Sequence, residues 1–324
     1  MANRDDFEIQ GVVPIVPTPF LADGSVDWSS VPALIEFAIA AGACAVCLPA
    51  YASEFYKLSP AEHERIIETA LLAAGGRIPV VAQVNTPSLP RARELAVLAE
   101  RMGSAAINVA VPRLFAIGEA NLFRYFDEIL KITSLPMIIQ DFNPGGTSVS
   151  VDFIAKLHRQ HPHFRYVKLE EPMLSGKVRA ILEATSGEVG VIAGWGGMYF
   201  PELVPAGICG IMPGLAVADL LAAAWNRFAA GDPGGGFDIF TDLLPQIVYS
   251  LQNMEFFHHA EKRLLCDRGI LRSAIVRDAT LQLSADEECH VDFLNQRVLR
   301  LLERLAMPRN PLPSVRAGAY DKSL

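Results

Sequence analysis

The chain has 324 residues, 51% of them hydrophobic and 20% charged, with a formal net charge of -8. That balance supplies a large core and excludes a disordered chain, while the acidic excess offers no basic stripe to nucleic acid or to an anionic membrane. No apolar run approaches bilayer length and Met1 to Gln10 is charged rather than signal-like, so the expected compartment is the cytoplasm.

In chain order, short apolar runs alternate with stretches that carry apolar residues at three- and four-residue spacing. The strand candidates are residues 12–16, 43–48, 79–84, 105–111, 137–140, 166–169, 189–193 and 209–212, each followed by a segment of helical period. Residues 31–41 and 61–74 are two such segments. The second is announced by Ser59 as N-cap, Pro60 at the first helical position and Glu62 at the third. Near-continuous apolar strands separated by helices indicate a parallel sheet covered on both faces. Eight such units fit a closed (β/α)8 TIM barrel better than an open sheet. The run from Gly231 to Gly236, with Pro233 inside it, reads as a helix stop and hinge. Beyond it residues 237–251, 254–268 and 287–305 read as helices, and residues from Pro308 onward as a loosely ordered tail. The expected organisation is a barrel over 1–232, an all-helical C-terminal domain over 233–307 and a tail over 308–324.

Five scattered cysteines (Cys44, Cys47, Cys209, Cys266 and Cys289) suit reduced thiols rather than a disulfide framework. Cys44 and Cys47 form a C-x-x-C, but three positions apart on a strand they face opposite sides, which disfavours a metal or redox role. His161 and His163 lie in a polar loop without the thiols or carboxylates that would complete a zinc site.

Lys168 is the most informative residue. It falls in the middle of the short strand Arg165-Tyr166-Val167-Lys168-Leu169, whereas the six other lysines occupy helix surfaces, loops or the tail. A lysine turned into a packed sheet loses hydration, and desolvation favours the neutral, nucleophilic amine. In a (β/α)8 barrel the chemistry sits at the C-terminal strand ends. Here those ends bring together Thr18, Ala50 to Glu54, Asn85, Arg113, Gln140 and Asp141, Lys168 and Glu170, Gly194 and Trp195, and Met212 with Pro213. This inventory of an amine, carboxylates, hydroxyls and glycines suits Schiff-base chemistry, in which an amine condenses with a keto group and the iminium acidifies the adjacent carbon. No Gly-rich phosphate fingerprint follows the first strand. The expected cofactor set is therefore empty, with no metal, the covalent link on Lys168 serving instead.

The residues that carry a family likeness are Thr18-Pro19-Phe20, Asp23-Gly24, Asp27, the loop ending in Glu54 with Leu58-Ser59 and Glu64-Arg65, Pro136 to Gly146, Val167-Lys168, Gly194 and Gly207 to Gly210. In order and spacing the chain resembles the dihydrodipicolinate synthase / N-acetylneuraminate lyase family over residues 11 to 305. The resemblance implies a (β/α)8 barrel with a helical C-terminal domain, a homo-oligomer (dimer or tetramer), and a Schiff-base lysine at Lys168. Departures are equally informative. The family's Gly-Thr-Thr-Gly-Glu loop is Ala50-Tyr51-Ala52-Ser53-Glu54 here. Asp141 stands for the acid/base tyrosine at the end of the fifth strand, Gly146 for the arginine that holds the aldehyde substrate of the synthases, and Arg113-Leu114 for a relay tyrosine from a neighbouring subunit. The closer likeness is to the branch containing L-2-keto-3-deoxyarabonate dehydratase, through Ala50 to Glu54, Gln140-Asp141 with Gly145-Gly146-Thr147, and Lys168-Leu169-Glu170. Tyr51 stands one position earlier than that branch's tyrosine.

These readings assign Lys168 as nucleophile and Glu170 as base, since residues two apart on a strand share a face. Tyr51 and Asp141 are expected to orient the leaving hydroxyl or its water. Ala52 and Ser53 are expected to bind the substrate carboxylate through backbone N–H groups and the Ser53 hydroxyl, with Thr18, Gly194, Trp195 and Met212 completing the pocket. Glu54 reads as a loop anchor. The expected activity is dehydration of a 2-keto-3-deoxy sugar acid. The alternatives are a pyruvate-dependent aldolase, a dihydrodipicolinate synthase-like condensation, and a non-catalytic 2-oxo-acid-binding barrel.

Overall fold

In the computed structural model, which describes residues 7–113, 117–142 and 149–312, eight parallel strands run β1 (Gly11–Val12), β2 (Val46–Leu48), β3 (Val80–Val84), β4 (Ala106–Ala110), β5 (Met137–Asp141), β6 (Phe164–Leu169), β7 (Gly190–Ala193) and β8 (Gly210–Ile211). Their order in the sheet is β1-β8-β7-β6-β5-β4-β3-β2. The two ends of that series are joined by the segment after β1. Cys47 N–H donates to the carbonyl of Pro14 and Val16 N–H to that of Cys47, both at 3.0 Å. The sheet thereby closes into the (β/α)8 barrel that the alternation of periods implies.

The helices on the outside are α1 (Val31–Ala40), α2 (Pro60–Ala74), α3 (Leu89–Met102), α4 (Glu119–Leu130), α5 (Val151–Gln160), α6 (Ser175–Ala184), the short α7 (Phe200–Leu203) and α8 (Ala218–Ala229). α2 starts as its sequence dictates: the Ser59 hydroxyl accepts from Glu62 N–H and the Glu62 carboxylate accepts from Ser59 N–H at 2.8 Å. One large apolar core lies between strands and helices, and a second, smaller one fills the barrel itself.

Strand alternation makes that inner core change character along the barrel. Toward the N-terminal ends the inward side chains are Val81, Ala106, Ile138 and Tyr166. One step of two residues further along the same strands come Gln83, Asn108, Gln140 and Lys168. The barrel is thus plugged with hydrocarbon at its base and polar under its mouth.

Three helices follow: α9 (Pro233–Ser250), α10 (Met254–Asp267) and α11 (Ala285–Arg304). The glycine-rich hinge expected at 231–236 is half correct. α8 does stop at Ala229, but Gly234, Gly235 and Gly236 form the first turn of α9. Asp232 caps that turn, accepting from Gly235 N–H at 2.9 Å, and Pro233 occupies the first helical position. A Cβ on Gly236 would lie 2.6 Å from the Phe228 ring, so this glycine lets α8 and α9 touch. Buried Arg268 grips Asp219 with two hydrogen bonds of 2.9 and 2.6 Å and so ties the end of α10 to α8. The tail beyond residue 312 lies outside the described residues. No described helix is long and apolar enough to cross a membrane.

Candidate active site

Lys168 points into the barrel because Val167 and Leu169 on either side of it belong to the outer core. Only 4% of its side chain is exposed, and its Nζ lies 3.0 Å from Oε1 of Glu170, itself 6% exposed. Two further donors hold that carboxylate. Trp195 N–H reaches Oε1 at 3.1 Å and the Gln140 amide reaches Oε2 at 3.2 Å. Gly194 makes room for this arrangement, since a Cβ there would stand 2.2 Å from Cγ of Glu170. Trp195 then adopts a left-handed backbone (φ 50°), a conformation that an aromatic residue takes only under tertiary constraint. Its N–H is thereby aimed at Glu170 while its ring lines the cleft.

The amide of Gln140 belongs to a network beneath the lysine. Asn108 Nδ2 donates to Oε1 of Gln83 at 2.7 Å and to Oε1 of Gln140 at 3.3 Å, and Gln83 Nε2 donates to Oε1 of Gln140 at 3.2 Å. All three residues are buried. Such a layer fixes the Gln140 amide with its nitrogen toward Glu170.

The cleft above has a volume of about 270 Å³ and is lined by Lys168, Glu170, Gln140, Tyr51, Ala52, Trp195 and Met212, together with Phe142, with Leu251, Gln252 and Asn253 of the turn between α9 and α10, and with Met254 and Phe257 of α10. A larger groove of about 700 Å³ on the outer surface, bordered by Leu89, Arg93 and Val97 of α3, contains none of these groups. Tyr51 packs against Phe55 and Phe142 at 5.1 and 5.4 Å between ring centres. Burial, and secondarily the charge of Glu170, push its phenol above the ordinary value, so near neutral pH it keeps its proton and acts as a donor.

Several expected site residues play other parts. Asp141, expected at the proton path, faces away from the cleft. Alternation along β5 turns Gln140 inward beside Lys168, its register partner, and Asp141 outward. There its carboxylate is held by the guanidinium of Arg113 and by Val149 N–H, and burial, opposed by Arg113, raises its pKa. Ser53 is fully buried, and its hydroxyl is spent on the protein: it donates to the carbonyl of Val16 at 2.5 Å and accepts from Ala50 N–H at 3.0 Å. Its own N–H donates to the carbonyl of Ala50, leaving neither group for a ligand. Thr18 likewise donates to the Ser53 carbonyl at 2.7 Å. Thr18 and Ser53 shape the loop that presents Tyr51 and Ala52, and Gly194 shapes the seat of Glu170; none of the three lines the cleft. Glu54 locks the same loop to the helical domain, bonded to Lys262, to Lys57 at 3.0 Å and to Arg277 N–H at 3.1 Å. His161 pairs with Asp127 at 2.8 Å and His163 with the Leu130 carbonyl at 3.0 Å. Gly145, Gly146, Thr147 and Leu114 lie outside the described residues.

Gln140 and Phe142 lie at the end of the fifth strand as expected but without an expected role, and the α9–α10 segment was not expected at the site. The register of β5 against β6 decides for Gln140 over Asp141, and no local signal points to the α9–α10 segment.

A buried amine paired with a buried carboxylate at the C-terminal mouth of a (β/α)8 barrel stands where barrel enzymes carry their chemistry. The comparisons make the class specific. Residues 8–212 match the Dihydrodipicolinate synthetase family, and the chain belongs to that family, whose members are class I lyases. It is 24% identical over 303 residues to L-2-keto-3-deoxyarabonate dehydratase of Azospirillum brasilense, covering 92% of this chain and 97% of the relative. It is 35% identical over 162 residues to 4-hydroxy-tetrahydrodipicolinate synthase of Rhizobium meliloti (strain 1021), covering 49% of this chain and 54% of that one. The fold matches that of 4-hydroxy-tetrahydrodipicolinate synthase from Methylacidiphilum fumariolicum SolV with a TM-score of 0.85 at 20% identity, over 92% of this chain and 99% of that chain. It also matches a prophage protein of the dihydrodipicolinic acid synthase family from E. coli K12, solved in complex with pyruvate, with a TM-score of 0.82 at 21% identity over 90% of this chain and 98% of that chain.

Proposed function

We propose that this lyase dehydrates a 2-keto-3-deoxy acid of the sugar-acid type, bearing a carboxylate at C1, a ketone at C2, a methylene at C3 and a hydroxyl at C4. The observation that carries the reading is the buried Lys168–Glu170 pair, 3.0 Å apart under the cleft. Glu170 takes a proton from the Lys168 ammonium, and the freed amine adds to C2. Loss of water from the carbinolamine gives the iminium, with the carboxylate received at the Ala52 backbone. The iminium acidifies C3, and Glu170 removes that proton to give the enamine. Electrons returning from nitrogen expel the C4 hydroxyl, which leaves as water with a proton donated through Tyr51 and replenished from Glu170. Water then hydrolyses the conjugated iminium, releasing a 3,4-unsaturated 2-oxo acid and restoring Lys168. A C5 hydroxyl would let that product tautomerise to a semialdehyde. The iminium is the electron sink, so this route calls for no metal or cofactor.

Gln140 supports Glu170 as the proton carrier. The side chain next to Lys168 on the neighbouring strand is an amide, which positions the carboxylate but exchanges no proton. The test is borohydride reduction in the presence of a 2-oxo acid, with the adduct mapped by mass. The adduct should fall on Lys168 and vanish in Lys168→Arg, while Glu170→Gln keeps the adduct and loses turnover by about 10²–10⁴-fold. An adduct on another lysine would overturn the reading, and release of pyruvate instead of an unsaturated product would replace dehydration by aldol cleavage.

A further inference from the structure

Among the described residues, the polar groups of the cleft are concentrated on one side. Lys168, Glu170 and Gln140 take the reacting carbons, and opposite them the described wall is chiefly hydrocarbon and aromatic, with the Tyr51 hydroxyl and the exposed amides of Gln252 and Asn253 as its polar groups. The rings of Tyr51, Phe142 and Trp195 form a continuous strip, with centres 5.4 Å apart for the first pair and 6.1 Å for the second. Leu251 of the α9–α10 turn and Met254 and Phe257 of α10 add further apolar wall. This turn is held close to the barrel: a Cβ on Gly196 would lie 2.8 Å from Cδ1 of Leu251. Each amide of the turn spends one group on the local backbone, Gln252 Nε2 donating to the Tyr249 carbonyl at 3.0 Å and Asn253 Oδ1 accepting from Glu255 N–H at 2.8 Å.

Hydroxyl groups pressed against Phe142, Trp195, Leu251, Met254 or Phe257 lose water and gain no side-chain hydrogen-bond acceptor from them, whereas a hydrocarbon group there gains from leaving water. We infer that the substituent beyond C4 of the substrate is apolar, an alkyl or aryl group rather than a hydroxylated chain, and that the helical domain reads it. The inference rests on the lyase reading above, keeps its C1–C4 pattern and replaces the sugar-acid tail by an apolar one. The reaction on such a substrate stays balanced: the C3 hydrogen and the C4 hydroxyl leave together as water, and the C3=C4 double bond remains conjugated to the C2 carbonyl.

The test uses two acids of equal length, 4-hydroxy-2-oxohexanoate and 4,5,6-trihydroxy-2-oxohexanoate. Each is assayed for borohydride-trapped adduct at Lys168 as a function of concentration, and for kcat/KM by the absorbance or derivatisation of the dehydrated product. The apolar acid should be favoured about tenfold to a hundredfold, the range over which an apolar pocket discriminates against added hydroxyls. Met254→Gln, a substitution of similar length at a half-buried site, should shrink that preference about tenfold. Adducts with both acids at equal half-saturation, or a preference for the trihydroxy acid, would overturn this inference and leave the lyase reading standing. An unchanged preference in Met254→Gln would remove the helical domain from specificity. No adduct with either acid would overturn the lyase reading and this inference with it.

Discussion

Replacing Gly194 by alanine tests whether the position of Glu170, and not merely its presence, sets the rate. The added Cβ would sit 2.2 Å from Cγ, 2.5 Å from Oε1 and 2.7 Å from Cδ of Glu170, where ordinary contact begins at 3.4 Å. The backbone at Gly194 has a negative φ (−92°) and so does not demand glycine through a left-handed turn, and the glutamate side chain is the part free to move from the clash. It must retreat by more than an ångström, which breaks the 3.1 Å bond from Trp195 N–H and stretches the 3.0 Å approach of Lys168 Nζ. A misplacement of about 1 Å costs about 10²-fold in rate, and complete loss of a positioned base costs up to about 10⁴-fold. We expect kcat to fall about 10²–10³-fold, or about 3–4 kcal/mol in activation free energy. Steady-state kinetics on a 2-keto-3-deoxy acid should be paired with borohydride trapping and thermal unfolding of the same variant. Folding and the Lys168 adduct should persist while turnover collapses. A variant whose kcat stays within about threefold of the parent would refute the idea that the seat of Glu170 governs proton transfer.

Asp141→Asn should behave in the opposite way, losing stability by about 1–3 kcal/mol because the buried partner of Arg113 is gone, yet changing kcat by less than about tenfold. Chemical denaturation and steady-state rates separate the two effects, and a drop in kcat as deep as that of Glu170→Gln would return Asp141 to the proton path. The third prediction concerns Glu261, fully enclosed near Gly214, whose carboxyl is raised to about 7 by burial against the opposing pull of the Ala216 and Leu215 N–H groups. The folded carboxyl keeps its proton up to about pH 7 while the unfolded chain releases it near the ordinary value of 4.5. Its stabilising contribution is therefore complete below pH 4.5 and is lost as the pH rises through 7, a change of about 3 kcal/mol. Unfolding free energies of the parent and Glu261→Gln, measured from pH 5 to 8, should show the parent losing ground to the variant across that window; parallel curves would refute the assignment.

What the sequence by itself determined is local or periodic. Apolar runs of strand length between helical periods specify eight βα units, and eight two-faced apolar strands in succession fit a closed parallel barrel better than an open sheet. The capping box at Ser59, Pro60 and Glu62 is legible for the same reason: its hydrogen bonds join residues three apart. Lys168 and Glu170 could be placed on one face from their spacing alone, and the family likeness confirmed the barrel around them.

Tertiary structure decided everything that depends on pairing between distant segments. Whether Gln140 or Asp141 enters the barrel turns on the register of β5 against β6, and a shift of one residue exchanges the two faces; the sequence offers both residues with equal plausibility. The Ser53 hydroxyl could have served a ligand until folding set the Val16 carbonyl 2.5 Å away. The glycines at 234–236 break helices in isolation, but the Asp232 cap and close contact with Phe228 draw them into α9. Most of all, Leu251, Met254 and Phe257 are remote in sequence from every strand end, and nothing in their own segment marks them as pocket residues. They belong to the cleft because the helical domain packs its first turn onto the barrel mouth, a placement set by the summed packing of many side chains rather than by any motif.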